Sequence, residues 1–560
     1  MREMGEDHEG GIARRLWLKW QREGLYAQYS PFFVSLASGN LDSHSFLLSV
    51  SQDLHFFHSF SHAYELAEDC ADDDEDKSLI RKLRKRVKAN LKNYHSIVRE
   101  WGFELPAENT PIIATIKYTE FLLATASGKV EAEKDPGKIA TPFERIKLAA
   151  YTLGAMAPCM RLHASICKEI HCLLDPDDSS HIYRKWVDNY CSKSFEESAL
   201  QIEEVLDRLS ISLTSEELEV LEKLYLQAMK LKVDFHCTQP IVQQTIVPLS
   251  RVQSPVDSYI TIFCDFDMTC TAVDSSAILA EIALLTAAKV DLTGSKTKLT
   301  RMSSADLRST WGVLSAQYVE EHDRCIESIM PSEAVEKFNY GGLCEALEQL
   351  TEFEKRANSR VIQSEVLKGL SLEDIKRAGQ QIVFQEGCKG FFQKIIRDEN
   401  LKTDVHVLSY CWCGDLIRSA FSSGDLNVLQ VHSNELVYEE NISTGEIIRM
   451  VECPMEKLQA FNDMLKEQNL DVQQLTIYIG GSVGDLLCLL KADIGIVIGS
   501  SPSLKRLGDH FGISFVPLFS GVLKRQKELG EGVSPNWKAP PGVLYTVSSW
   551  AEIHAFILGL

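Results

Sequence analysis

Two aspartates two residues apart, in Cys264-Asp265-Phe266-Asp267-Met268-Thr269, form the most chemically explicit spacing in this sequence. One carboxylate can attack phosphorus and carry the phosphoryl group as an aspartyl-phosphate. The other can protonate the leaving alcohol and then activate water. Two anions facing a phosphate repel it, so the pairing calls for a hard cation such as Mg2+. Three later positions extend the set. Ser409, in Val407-Leu408-Ser409, offers a hydroxyl to a phosphoryl oxygen. Lys457, just after Pro454 at the opening of a helix, offers a cation to the phosphate and to the nucleophile. The glycine-rich turn Gly480-Gly481-Ser482-Val483-Gly484-Asp485 ends in a carboxylate. Singly, Ser409 or Lys457 reads as an ordinary surface residue, and the aspartate pair as a turn or a helix cap. Their order and placement carry the reading.

The elements that must position them follow from the apolar pattern. Residues 259–264, 405–408, 475–479, 494–498 and 513–516 are short, β-branched-rich runs separated by helical segments. That is the pattern of a buried parallel sheet with crossover helices. Asp265, Ser409 and the Asp485 turn each follow the carboxyl end of such a run, where open α/β sheets place ligands. The stretch between the first two runs is too long for a simple crossover and mostly helical, over 275–290, 304–329 and 332–356. It predicts an inserted helical cap at about 275–385.

Upstream, from residue 16 to about 235, the grammar is helical throughout, over 46–67, 79–100, 110–126, 142–171 and 181–209. Thr214 and Glu217 form a capping box, and Leu218, Leu221, Tyr225 and Ala228 follow on one apolar face. An all-α bundle is expected at 1–238. Residues 239–258 carry three prolines and no periodicity, as a linker does. The α/β part would then occupy 259–560.

Composition narrows the partners. Fifty-eight basic against 79 acidic residues give a net charge of −21, which disfavours nucleic acid or an anionic membrane as a general partner. Six of the eight residues at 81–88 are basic, and they read as a solvated helix face after the acidic run at 72–76. No apolar run is long enough to span a bilayer. Residues 1–11 are acidic and polar, without secretory or transit character, so a cytoplasmic protein is expected, with a mitochondrial form if a longer precursor carries a targeting segment. The 15 cysteines lack CxxC spacing and read as reduced thiols.

At this point the second half resembles the haloacid dehalogenase (HAD) superfamily, whose four motifs match in order. The resemblance implies a HAD-like Rossmannoid phosphatase fold, with Asp265 as nucleophile, Asp267 as acid–base, Ser409 and Lys457 on the phosphate, and Mg2+ on Asp265, Asp267 and Asp485. The superfamily's last motif usually begins with a metal-binding acid where this chain has Gly481. Restoring Asp there is expected to lower the magnesium requirement.

The first half is similar to the TenA family in the run 46–53 followed by Phe60 and Ala63, in 118–122, in 157–162, and in Tyr183-x-x-Trp186-x-x-x-Tyr190. TenA proteins are all-helical aminopyrimidine hydrolases. The resemblance implies Cys159 as nucleophile, Asp53 on the pyrimidine and its amino group, Tyr118 and Tyr190 lining the pocket, and His163 where the family often has tyrosine. Without it, Cys159 reads as a buried small residue and Asp53 as a structural hydrogen-bonding group. Lys232 stands where the family has a late acid, so poor turnover is expected; Asp234 should face away on its helix. Relatives of this half self-associate, which implies a homo-oligomer through it. Both halves in this order are similar to the plant bifunctional TenA–HAD family. That implies small-molecule substrates: thiamin monophosphate for the phosphatase and aminopyrimidines for the helical half. Two other readings fit the residues: a phosphatase for another small phosphomonoester, and a non-enzymatic thiamin-precursor binder whose sites have decayed at Gly481 and Lys232.

Overall fold

The computed structural model describes residues 10–560 apart from 107–108, 130–141, 177–179, 253–257, 294–301, 331–334, 336, 400, 423–425, 427–428, 468–472, 500 and 534–536. Parts of the expected linker and cap therefore lie outside the described residues. By packing, the chain divides into two compact units. One comprises 1–252 with 522–535 and 555–560; the other comprises 253–521 with 536–554. The division differs from the expected linear partition, because two C-terminal pieces belong with the helical unit. Gln526 shows why: its buried side chain accepts from Ile246 N and donates to Gln244 O, while its carbonyl accepts from Asn40 Nδ2. Paired on several sides, that side chain has its buried polar groups satisfied only within the helical unit.

The helical unit is built around the helix Pro142–Leu173, against which Asp53–Cys70, Lys193–Ser210 and Ser215–Cys237 pack. Gly154 permits one close approach, since a Cβ there would lie 2.3 Å from a Leu221 methyl. Four residues on, Pro158 has no N–H to offer the Gly154 carbonyl, so the ladder is interrupted one residue before Cys159. The Thr214–Glu217 capping box forms. The run expected at 46–67 is two helices, Ser43–Ser51 and Asp53–Cys70, and that at 181–209 is also two, because Ser192 caps a new helix.

In the second unit, β1 (Ser258–Cys264), β2 (Thr403–Leu408), β3 (Gln430–His432), β6 (Gln473–Gly480), β7 (Ile494–Ile498), β8 (Ser514–Pro517) and β9 (Val543–Val547) form one parallel sheet. Its order is β3-β2-β1-β6-β7-β9-β8. The chain leaves β1 for β2 on one side and later returns to β6 on the other. The end of β1 is therefore a topological switch point, where a crevice opens for ligand. An antiparallel hairpin of β4 (Glu435–Glu439) and β5 (Ile442–Ile448) stands apart. Its turn places Glu440 and Asn441 at positive φ, the tight reversal usually written with glycine, so the sequence pattern does not announce it. Between β1 and β2 run the helices Ser275–Thr293, Ser304–Ile329, Tyr340–Gln363, Leu372–Gln380 and Cys388–Arg397. Among the described residues, no helix is long and apolar enough to cross a membrane.

Candidate functional site

Asp265 begins where β1 ends, its N–H donating to Ile479 O of β6 at 2.9 Å. The strand pair thus holds the Asp265 backbone before any side-chain contact is made. Asp265 is 6% exposed. Oδ1 accepts from Lys457 Nζ at 2.8 Å and Oδ2 from Thr269 Oγ1 at 3.3 Å. Lys457 is completely buried, and its ammonium also donates to Asp485 Oδ1 at 2.6 Å. Burial alone would lower the Lys457 pKa, but Asp265 and Asp485 together raise it, so the group is a fixed cation.

The loop after Asp265 is locally unusual. Met268 takes φ 57° although it is not glycine, a strained conformation of the kind found at functional turns. Trp550 Nε1 donates to Thr269 O at 3.0 Å, and Thr271 Oγ1 accepts from Met268 N at 3.2 Å. Beyond the turn, Asp267 accepts from Ser275 N at 2.7 Å and from Ser275 Oγ at 2.9 Å. Burial, with Asp274 and Asp265 nearby, pushes the Asp267 carboxyl up to about 8. Burial and Asp485 push Asp265 up to about 6 against the pull of Lys457. The two carboxyls thus separate in the sense that suits an ionised nucleophile beside a protonated acid. Ser409 follows β2 at the same sheet end as Asp265, and its Oγ accepts from Cys411 N.

Asp485 departs from its expected role. Oδ1 accepts from Lys457 and from Tyr478 Oη at 2.9 Å; Oδ2 accepts from Gly481 N, Ser482 N and Ser482 Oγ. Five donors occupy this carboxylate, and Lys457 fills the space between it and Asp265. Among the described residues, no three His, Cys, Asp or Glu side chains gather as a metal-binding group. The expected Asp265, Asp267 and Asp485 set therefore does not fit a three-carboxylate magnesium centre here.

The expectation for Gly481 also changes. A Cβ at Gly481 would lie 2.5 Å from the Ile498 carbonyl oxygen, a backbone atom that cannot swing aside. Gly481→Asp should therefore lower the thermal transition of the α/β unit, by about 1–3 kcal/mol in stability, rather than simply restore a ligand. Thermal scans with and without magnesium check this. A transition raised by magnesium would show that the turn yields and the new carboxylate reaches metal.

In the helical unit a cavity is lined by Asp53, Tyr94, Cys159, His163, Tyr190 and Lys232, among others. Asp53 Oδ2 accepts from Tyr94 Oη at 2.5 Å and from Tyr190 Oη at 3.0 Å. Burial raises the Asp53 pKa, and Lys232 and the two phenols oppose the shift. Burial likewise raises the Cys159 thiol, with Lys232 and Tyr118 opposing. His163 packs on the Tyr190 ring and is held well below its usual pKa by burial and by Lys232, so it is neutral. Tyr118, expected from the sequence to line the pocket, is instead fully buried beside Cys159 and is not among the residues lining the cavity. It lies behind Cys159 and donates to Ala155 O at 2.8 Å, because its helix turns the phenol into the core. Lys232 is buried between the faces of Phe56 and Phe235, 4.1 and 4.2 Å from their centroids. Asp234 points away, toward Lys117 at 3.9 Å.

Tyr94 was not legible as a site residue, although it shares the buried face of its helix with Leu83 and Val98. Ser275, Tyr478 and Ser482 were likewise missed, since nothing in their spacing marks them as partners of Asp267 and Asp485.

An all-helical unit and a parallel α/β unit with helices inserted between its first two strands define this chain as a two-part protein. The TENA/THI-4/PQQC family model matches residues 145–239. The bifunctional TH2 protein, mitochondrial, of Arabidopsis thaliana is 56% identical over 555 residues, covering 98% of this chain and 90% of that protein. The chain belongs to the bifunctional TH2 protein family. Among solved structures, a TenA homologue from P. horikoshii OT3 is 21% identical, covering 40% of this chain and 97% of its own, with TM-score 0.33. A phospho-aspartyl intermediate analogue of phosphoserine phosphatase is 19% identical, covering 44% and 90%, with TM-score 0.28.

Proposed function

We propose that the α/β unit hydrolyses thiamin monophosphate to thiamin and phosphate. The observation that carries the reading is Asp265 at the switch point of the sheet, held by Lys457, with a protonatable Asp267 two residues on. Asp265 Oδ attacks phosphorus and the ester C–O–P linkage breaks at the P–O bond. Asp267 gives its proton to the departing alkoxide, so thiamin leaves as the alcohol. The Asp267 carboxylate then takes a proton from water as that water attacks the aspartyl-phosphate, returning Asp265 and releasing phosphate. Ser409 Oγ, already accepting from Cys411 N, has its proton to direct at a phosphoryl oxygen. Charge neutralisation is assigned to Lys457. No step runs through magnesium, which the superfamily resemblance implies, because Asp485 is fully engaged by Lys457, Tyr478, Gly481 and Ser482. The test is equimolar release of thiamin and phosphate from thiamin monophosphate; release from other phosphomonoesters alone would overturn the reading.

The two carboxyl shifts set a pH profile. Activity needs Asp265 ionised and Asp267 protonated. The rate should therefore rise with pH through about 6 and fall through about 8. A kcat/KM profile flat from about pH 5 to 9 would contradict these roles.

For the helical unit we infer a pocket for an aminopyrimidine ring, with Asp53 facing its amino group and Cys159 beneath it, but with slow turnover. Attack by Cys159 needs an acid to protonate the leaving amine, and Lys232 provides no carboxylate at that position. Lys232→Glu is expected to raise aminopyrimidine hydrolysis about tenfold or more. The measurement uses the full chain, since Gln526 completes this unit. Equal, brisk turnover by both forms would defeat the argument. The cytoplasmic expectation and a mitochondrial location, the latter that of the Arabidopsis relative, are separated by imaging the tagged protein in cells.

A further inference from the structure

The cap carries a carboxylate that the catalytic steps do not use. Glu354 lies in the helix Tyr340–Gln363, and its Oε1 accepts from Tyr318 Oη at 2.9 Å. Among the described residues, no Lys, Arg or His stands within ion-pair distance of Glu354, whereas Glu321 and Glu456 nearby are both paired. With burial opposed only by one phenol, its carboxyl is pushed up to about 7. An acid left so poorly compensated is stabilised by any cation brought beside it.

The surroundings are aromatic. Trp311 and Tyr318 are seven residues apart on the helix Ser304–Ile329 and so share a face. Asn358, one turn after Glu354, accepts from Trp412 Nε1 at 3.0 Å, and the Trp412 ring lies 6.1 Å from that of Trp311. Trp311 Nε1 is buried without a hydrogen-bond partner. A bidentate Arg360–Glu321 pair, with both contacts at 2.8 Å, ties the two helices together, so the group is pre-arranged.

This wall belongs to the phosphatase centre. Trp412 is three residues beyond Ser409, in the loop that leaves β2. Tyr410, in the same loop, donates to Gly484 O at 3.2 Å, and Lys457 Nζ stands 4.5 Å from its ring centroid. Tyr410 is held well above its usual pKa by burial, then by Asp485 and by Glu354, so it feels the catalytic turn and the cap acid together. Tyr318 likewise feels Asp274, whose neighbour Ser275 holds Asp267.

We propose that Glu354, with Trp311, Tyr318 and Trp412, receives a positively charged heteroaromatic ring carried by the leaving group of the phosphate ester. The inference rests on the proposed phosphatase reading and names the part of the substrate that the cap selects. The thiazolium ring of thiamin monophosphate, two methylenes from its phosphate, has this chemistry: a flat face for the indoles and a fixed cation for the carboxylate. Binding energy from this non-reacting ring can then be used to hold the phosphate at Asp265.

The experiment compares kcat/KM for thiamin monophosphate with kcat/KM for p-nitrophenyl phosphate, in wild type, Glu354→Gln and Trp311→Leu, and adds thiamin as a competitive inhibitor of p-nitrophenyl phosphate hydrolysis. Both variants should lower the ratio of the two constants, Glu354→Gln by about tenfold, with a matching rise in the thiamin inhibition constant. An unchanged ratio together with unchanged inhibition in both variants would overturn the subsite. If wild type cleaves p-nitrophenyl phosphate but not thiamin monophosphate, the substrate reading fails. The subsite then stands if thiamin still inhibits and Glu354→Gln relieves it, and falls if thiamin does not inhibit.

Discussion

Asp265→Asn is expected to cut phosphate release by about 10^4-fold or more while leaving the thermal transitions of the protein near those of wild type. The amide is almost the same size, and its oxygen can still accept from Lys457, so the buried hydrogen-bond network loses little. It cannot, however, attack phosphorus and form an aspartyl-phosphate. Stopped-time phosphate assays on the full chain, with thermal scans of both proteins, check both halves of the statement. A variant keeping more than about a tenth of the rate would remove Asp265 as nucleophile, because lost acid–base help alone costs roughly 10^2 to 10^4.

Lys457→Met should be the most damaging single change to the α/β unit. The ammonium is wholly buried and holds two carboxylates that otherwise face each other. Removing one partner of such an arrangement leaves uncompensated buried charge and costs about 3–5 kcal/mol. Activity should fall with it, since no other buried cation lies against Asp265 among the described residues. The stability defect has a defined pH sign. Without Lys457, both Asp265 and Asp485 have folded-state pKa values raised above their unfolded ones. The folded state then binds more protons than the unfolded state, so stability increases as pH falls through those raised values. Thermal scans from neutral to mildly acidic pH should show the variant's transition approaching that of wild type. A variant as stable as wild type at neutral pH would mean that the two carboxylates are held chiefly by Tyr478, Ser482 and Thr269.

How much was legible follows from how local each signal is. Asp265, Asp267 and the first strand stand together within the ten residues 258–267, so their placement could be read directly. Lys457 could be found because it opens a helix after a proline and the superfamily motif names it. Asp485 was visible as an acid but not as a sequestered one, because its donors are Tyr478 before the turn and the backbone of the turn itself. The Tyr94 contact to Asp53 joins residues 41 apart on two consecutive helices, and only the packing of one helix on the other brings them together. Tyr118 illustrates the reverse case. Its position in a family-like run suggested a pocket wall, but one helical turn of orientation decides between wall and core, and the sequence does not fix that rotation. The strand β3 was missed because a three-residue run at the sheet edge carries too little pattern to stand out, and β9, paired between β7 and β8, was not read from the sequence either. The hairpin was missed because its turn pairs Asn441 with Glu440, a residue that seldom takes positive φ, and carries no glycine.

The assignment of residues 522–535 and 555–560 to the helical unit has a consequence for synthesis. A chain emerging from the ribosome in order delivers most of the helical unit first, then nearly all of the α/β unit, and only afterwards the segment carrying Gln526. The backbone N–H of Ile246 and the carbonyl of Gln244 wait for that side chain throughout the making of the α/β unit. The first unit to be translated is therefore among the last to be completed, and its final packing is a post-translational event. A ribosome stalled near residue 500 would carry a helical unit still open along that seam, exposed to proteases and chaperones that the finished protein excludes.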